Sequence, residues 1–427
     1  MLSYNFLLLK SAPLTRYEKK SLWLIFCSTY LDMYDLALYV GYSIYLSLIL
    51  FKNTNLFEDY FLFSAILCLV QFGKLIGLLA FNYFTKSYAR NIILAPIVIG
   101  AGYLYLAIMP SYHQIGIYSL YLFALVRFIQ GIAFGFEFGF TINFANSHFQ
   151  NNNKRFMYYF IIFSGELGAL VSIFFNRFII SHGINIVMVD NIIRFQNFIG
   201  FAFILFNVSF RIRYGEVKKH YVAFAQKCFF YTLKKSGGLI ILRAGTLCLN
   251  VTLLVMVIFR LPNFMHVYLS VGQHYINHVM LILSLVAFLG TNLAKILNRY
   301  YSAMKILVVL YFAVVLGCAS IYFSRVNLHV FVLESIYWSF IYGMLIRLIP
   351  VVLYPVTDFN RHNRLTARYL GHTLAYTFWG SVTILTLDLT RFLKHQVFGA
   401  ELEIIILVAA LISALSIWAY LRQFRSI

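Results

Sequence analysis

The sequence predicts an all-α, polytopic membrane protein of twelve transmembrane helices in two six-helix bundles. Three observations carry that prediction: 62% of residues are hydrophobic against 11% charged, the apolar residues fall into twelve long runs, and Lys and Arg alternate between the gaps. A soluble domain carries about 25% charged residues. A 427-residue chain with so few lacks the polar groups to face water on all sides. Lipid accepts such an exterior.

Crossing the hydrocarbon takes about twenty mostly apolar residues. Such runs fall near 21–50, 61–84, 91–110, 115–146, 156–181 and 193–210, and, after a basic stretch, near 238–259, 276–296, 306–324, 329–350, 369–389 and 401–421. The first and fourth are long enough to tilt or to extend beyond the membrane. Counting from an amino terminus inside the cell, the gaps on that side hold 23 of the 34 Lys and Arg, from Lys10, Arg16, Lys19 and Lys20 to Arg422 and Arg425. The other side holds seven, and four (Lys74, Arg127, Arg243, Arg347) lie inside runs. Basic residues collect on the cytoplasmic face, so the alternation predicts an even number of spans and both termini in the cytoplasm.

The longest polar interruption, 211–237, divides residues 1–210 from 238–427. It reads RIRYGEVKKHYVAFAQKCFFYTLKK through Lys235 and is expected to be an amphipathic cytoplasmic linker near anionic headgroups. A division into six and six is the layout of carriers whose substrate site lies between two bundles at the midplane.

The net charge of +20 belongs to the gaps between spans, so it reports topology and not nucleic acid. Cys27, Cys68, Cys228, Cys248 and Cys318 are scattered through apolar segments with no CxxC pair, and neither a metal site nor a cofactor is predicted. The first apolar run ends in no small-residue cleavage motif, so no cleavable signal is expected.

Ionisable groups within a span are costly and functional by default. Asp32 and Asp35, three residues apart, share one face of the first span. They lie about 15–20 Å from the cytoplasmic edge. Arg127 in the fourth span and Lys74 in the second reach similar depth. Glu137 stands ten residues beyond Arg127, about 15 Å along the helix. Those two cannot pair within it, so each needs a partner on another span or a wet cavity. Desolvation disfavours an ionised carboxylate and a neighbouring cation favours it. An acid held between these influences can load a proton on one side and release it on the other, as proton-coupled transport requires. A fixed ion pair pinning two helices is the alternative for Asp32, Asp35, Glu137 and Arg127.

Glu166 and Glu334 are read as cavity residues or as hydrogen-bonded helix contacts. Arg243 and Arg347 lie close enough to cytoplasmic ends to snorkel, and Asp388 is placed at a membrane interface. His274 and His278 are four apart, a spacing that suits metal ligands or a pH sensor. With His266 they are expected to be surface histidines, because no third ligand accompanies them.

The first span contains Thr29-Tyr30-Leu31-Asp32-Met33-Tyr34-Asp35-Leu36-Ala37-Leu38-Tyr39. Lys74-Leu75-Ile76-Gly77, Arg127-Phe128-Ile129-Gln130-Gly131, Gly135-Phe136-Glu137 and Lys154-Arg155 follow, then Arg194 to Gly200, Arg211 and Glu216. Leu261-Pro262, Leu353-Tyr354-Pro355, Arg364 and Thr366 complete the series. In this order they resemble the metabolite:proton symporter family of the major facilitator superfamily, the proline/betaine-type transporters. The likeness is strong in the first half and thin in the second. It implies a major facilitator fold and proton-driven uptake of a small zwitterion or carboxylate (proline, betaine, a dicarboxylate) across a bacterial inner membrane by a monomer. The partners it implies are that substrate, protons and the bilayer. It makes Asp32, Asp35 and Glu137 proton-coupling candidates, and Lys74, Arg127, Gln130, Tyr34 and Tyr39 substrate-cavity candidates, beside Glu166, which is a cavity candidate from its place within a span. An Arg suits a carboxylate through two parallel hydrogen bonds. Tyr34 and Tyr39 offer ring faces to a quaternary ammonium, with packing as the alternative.

The loop after the second span departs from the family's Gly-Asp-Arg-x-Gly-Arg-Lys and reads Thr85-Lys86-Ser87-Tyr88-Ala89-Arg90-Asn91. Arg90 survives, and Lys86 replaces the acid; these two are the gate candidates. The loop at Asn298-Arg299 also lacks its Asp, so gating is expected to be weakened or rebuilt. A transporter-like sensor or scaffold that no longer transports is the second expectation, against which the retained midplane acids and Arg127 argue. A membrane-embedded enzyme would need clustered His, Asp or Ser-Lys groups near one face, and the sequence has none.

Overall fold

The computed structural model describes residues 14–51, 56–83, 88–148, 151–180, 186–213, 228–257, 265, 271–321, 328–353, 371, 374–380 and 400–425. These are helical almost throughout, with no strand among them. In chain order the helices are α1 (Arg16–Gly41), α2 (Ser43–Leu50), α3 (Leu56–Tyr83), α4 (Tyr88–Ile108), α5 (Tyr112–Ile115), α6 (Tyr118–His148) and α7 (Asn151–Ile180). Then come α8 (Ile186–Arg213), α9 (Cys228–Val255), α10 (Gln273–Tyr300), α11 (Ala303–Ile321), α12 (Leu328–Leu353), a π-helical turn (Ala375–Gly380) and α13 (Ala400–Arg425). Among the described residues the long helices and that turn follow the order of the twelve expected spans. The long first run breaks at Tyr42 into α1 and α2.

Among the described residues, five helices hold stretches long and apolar enough to cross a bilayer on length and composition, among them Leu62–Ala80 and Val332–Ile349. Five more have shorter apolar cores. α1 falls in neither group; Asp32 and Asp35 interrupt its apolar residues. It starts from a reciprocal cap: the Glu18 amide donates to Thr15 Oγ1 at 3.1 Å, and the Thr15 amide donates to Glu18 Oε2 at 3.0 Å.

Burial is arranged for lipid. Large side chains such as Leu94, Ile108, Phe195, Val309, Phe312 and Trp418 face outward, whereas Asp35, Arg127, Gln130, Gln196, Asn197 and Asn250 are buried. In the first half α3 packs on α6, α1 on α7 and α4 on α8; in the second, α10 packs on α12 and α9 on α13. The halves meet where α7 lies against α10 and α3 against the π-helical turn. There Thr377 Oγ1 donates to the Gln71 carbonyl at 3.0 Å.

Hydrocarbon gives helices little hydrophobic reason to associate, so close backbone approach carries more of the packing. A Cβ on Gly77 of α3 would stand 1.8 Å from the Ile132 carbonyl oxygen of α6. One on Gly135 of α6 would stand 1.9 Å from the Lys74 carbonyl oxygen of α3. Gly73-x-x-x-Gly77 thus meets Gly131-x-x-x-Gly135, and this contact sets Lys74 beside α6. The second half repeats the device: a Cβ on Gly343 of α12 would lie 2.0 Å from the Ala287 carbonyl oxygen of α10.

α8 continues through Arg213, and Arg211 is buried within the first half. The start of the amphipathic linker at Arg211 is corrected by the partners described below.

Candidate functional site

Ser28, Asp32 and Asp35 recur along α1 at steps of four and three, so they form one stripe facing inward. Each meets a cation from a different helix. Asp35 accepts Arg127 Nη1 on Oδ1 at 2.8 Å and Nη2 on Oδ2 at 2.7 Å, with side chains only 3% and 2% exposed. Arg127 Nη1 also donates to Gln130 Oε1 at 2.9 Å, and Gln130 Nε2 donates to the Ile99 carbonyl at 3.2 Å. The guanidinium lies 3.8 Å from the Tyr39 ring centroid, and Tyr39 Oη donates to Asn197 Oδ1 at 2.6 Å. α1, α4, α6 and α8 are therefore tied by one buried network.

One turn back, Asp32 Oδ1 accepts Lys74 Nζ at 2.5 Å. This pair is partly accessible: Asp32 is 22% exposed and Lys74 15%. At Ser28, the hydroxyl donates to Glu137 Oε1 at 2.5 Å and receives Arg211 Nη2 at 3.0 Å. Arg211 Nη1 donates to Glu137 Oε2 at 3.0 Å, Nη2 pairs with Glu137 Oε1, and Nε donates to Asn207 Oδ1 at 2.9 Å. The charge placed in the linker closes this third ion pair.

A cavity of about 200 Å³ lies between the halves. Its wall comes from α1, α6 and α7 of the first half and α9, α10 and α12 of the second. Asp32, Glu137, Glu166, Arg243 and Asn250 are its chemically distinctive lining residues. Glu166 on α7 accepts a hydrogen bond from Thr291 Oγ1 on α10 at 2.9 Å, joining the halves, and Arg347 stands within electrostatic reach.

The candidates thus separate by place. Asp32, Glu137 and Glu166 line the cavity, and Lys74 binds Asp32. Asp35, Arg127, Gln130, Tyr34 and Tyr39 are buried outside that lining. With both Nη groups engaged by Asp35, Arg127 offers no free fork to a substrate carboxylate. The Tyr39 ring covers that guanidinium, and Tyr34 stacks on Tyr30 at 6.0 Å between centroids. The expected snorkelling of Arg243 and Arg347 is corrected: Arg243 lines the cavity and Arg347 is buried. Lys86, Glu216, Leu261, Pro262, His266, Arg364, Thr366 and Asp388 lie outside the described residues, and of Arg90 only the helical backbone is described. Among the described residues no three His, Cys, Asp or Glu side chains gather as metal ligands would.

No protein-family model matches the sequence, and no curated protein matches it. Solved structures match its fold. A D-xylose–proton symporter gives a TM-score of 0.74 at 14% identity, covering 95% of this chain and 98% of that one. The xylose transporter from E. coli, in a partially occluded inward-open conformation, gives 0.71 at 14%, over 95% and 98%. The fucose:proton symporter from E. coli gives 0.63 at 13%, over 95% and 97%. The chain is thus an all-α polytopic membrane protein of two helical bundles with a cavity between them. Its fold is that of the major facilitator type, and these solved neighbours are transporters, not enzymes.

Proposed function

We propose that this protein is a secondary active transporter that couples proton movement to uptake of a small polar metabolite by alternating access. The observation that supports this most is the cavity: three helices from each half wall it, and Asp32 of the partly accessible Asp32–Lys74 ion pair stands in its wall. Rocking of one half against the other exposes such a cavity to each side in turn.

In this reading Asp32 is the group that exchanges its proton. A proton arriving at Asp32 substitutes for Lys74 as the partner of the carboxylate and releases α3 from α1. A change in one ion pair shifts the balance between conformations by its differential stability in each. Glu137, engaged by Arg211 at another part of the wall, is a second proton-linked candidate. Asp35 and Arg127, sealed from the cavity, hold the first bundle rigid so that it moves as a unit. The moving bodies are residues 1–210, continued by the buried end of α8 through Arg213, and 238–427; the chain between them is the linker, and Lys86 and Arg90 are the gate residues. The setting proposed is a bacterial inner membrane with both termini cytoplasmic, and the working form a monomer.

The family resemblance implies a zwitterionic or carboxylate substrate of the proline, betaine or dicarboxylate kind, for which Arg243 is the cation in the lining. The solved neighbours are named for sugars. Counterflow in proteoliposomes tests the proposal: a carrier exchanges labelled for unlabelled solute across a sealed bilayer. Absence of counterflow for every solute that binds the purified protein would leave the sensor or scaffold reading in its place.

A further inference from the structure

Thr291 Oγ1, on α10, has three oxygens around it. Glu166 Oε1 of α7 lies 2.9 Å away, the Gly343 carbonyl of α12 3.0 Å, and the Ala287 carbonyl of its own helix 3.1 Å. Close packing of α10 on α12 holds both carbonyls there, since a Cβ on Gly343 would stand 2.0 Å from the Ala287 oxygen. A hydroxyl supplies one hydrogen, and an ionised carboxylate or a carbonyl supplies none. With Thr291 donating to an ionised Glu166, both carbonyls face the hydroxyl oxygen with no hydrogen between. A proton on Glu166 reverses that bond: the carboxyl donates to Thr291 Oγ1, and the hydroxyl donates to Gly343. One added hydrogen thus makes one more bond and ties α7, α10 and α12 in a single chain.

We infer that Glu166 is a proton-binding group of the seam between the halves, protonated while α7 lies against α10 and giving its proton to cavity water as they part. Glu166 lines the cavity, so its proton has an exit. Beside it the seam is apolar: Phe163 of α7 meets Phe288 of α10 at 6.2 Å between ring centroids. An ionised carboxylate gains hydration when such a seam opens, and a protonated one gains little. Asp32 of α1 and Glu137 of α6, in the same lining, are held by Lys74 and Arg211. Arg243 of α9 shares the lining, and Arg347 of α12 is within electrostatic reach; these cations oppose the proton and keep it exchangeable. α10 adds no charged group to the lining among the described residues. The inference rests on the transport reading and adds a proton site apart from the Asp32–Lys74 pair.

The test uses the purified full chain in lipid nanodiscs and needs no substrate. Infrared absorption by protonated carboxyl groups at neutral pH should include a band that Glu166→Gln lacks. Amide hydrogen exchange then reads the seam, as protection along α7 and α10 relative to α4 and α8. Raising the pH from mildly acid to mildly alkaline should lower that protection roughly two- to tenfold, the loss of one net hydrogen bond. Glu166→Gln, whose amide donates to Thr291 as the protonated acid does, should keep protection at both pH values. Glu166→Ala should lose it at both. An infrared spectrum unchanged by Glu166→Gln, a pH response of the seam that persists in that variant, or protection in Glu166→Gln as low as in Glu166→Ala would each overturn the inference. Counterflow is read apart: a carrier without the band keeps transport and loses the seam proton, and the band without counterflow does the reverse.

Discussion

Asp32 and Asp35 stand one turn apart on the same face of α1, yet one opens on the cavity and the other is sealed against Arg127. The difference follows from their partners. Arg127 reaches Asp35 from α6 behind a covering Tyr39 ring, whereas Lys74 reaches Asp32 from α3, with both side chains partly accessible. A proton-exchanging acid must meet solvent in at least one conformation, and a structural pair is served by exclusion of solvent. The stripe on α1 thus combines a functional position with a structural one.

Removing one member of a buried ion pair leaves an uncompensated charge, at a penalty of about 3–5 kcal/mol. Asp35→Asn should lower stability by that order, and adding Arg127→Gln should recover part of it. Asp32→Asn, at a partly exposed pair, should lose about 1 kcal/mol or less. Thermal unfolding of the purified variants ranks them, and equal losses at the two aspartates would remove the distinction.

The α3–α6 crossing gives a second stability prediction. Gly135→Ala places its Cβ against the Lys74 carbonyl, an overpacking expected to be destabilising by about 1–3 kcal/mol or more. Gly238→Ala, in α9, meets nothing within 4 Å. It should be stabilising by about 0.5–1 kcal/mol, because alanine has less backbone entropy to lose in a helix. Denaturation of the pair side by side checks the sign of each change.

The sequence made the bundles legible because lipid punishes exposed charge: apolar runs and basic gaps had to alternate. The same penalty made Asp32, Asp35, Lys74, Arg127 and Glu137 stand out. Their pairing was only half legible. Spacing along α6 separated Arg127 from Glu137, but nothing local showed that α8 carries Arg211 inward to Glu137. The step from Asp32 back to Ser28 is a helical repeat that would have pointed to Ser28. Asn250 and Thr291 gave no signal, since one amide or hydroxyl in an apolar run is common and its partner is known only after the bundles pack. Arg243 was misplaced because distance along a helix does not say which face meets the cavity.

Thr291 links the halves through Glu166, so Thr291→Val should loosen their contact. A side-chain hydrogen bond is worth about 0.5–1.5 kcal/mol net. Amide hydrogen exchange along α7 and α10 should quicken in the variant, with α4 and α8 unaffected. Unchanged exchange on α7 and α10 would show that the bond does not restrain the interface.

The most direct measurement is solute accumulation driven by an imposed pH gradient in proteoliposomes, using a compound that raises the unfolding temperature. Unaltered protein should accumulate it, and Asp32→Asn should exchange labelled for unlabelled solute without responding to the gradient. Gradient-driven accumulation by Asp32→Asn equal to that of the unaltered protein would contradict the assignment of proton exchange to the Asp32–Lys74 pair.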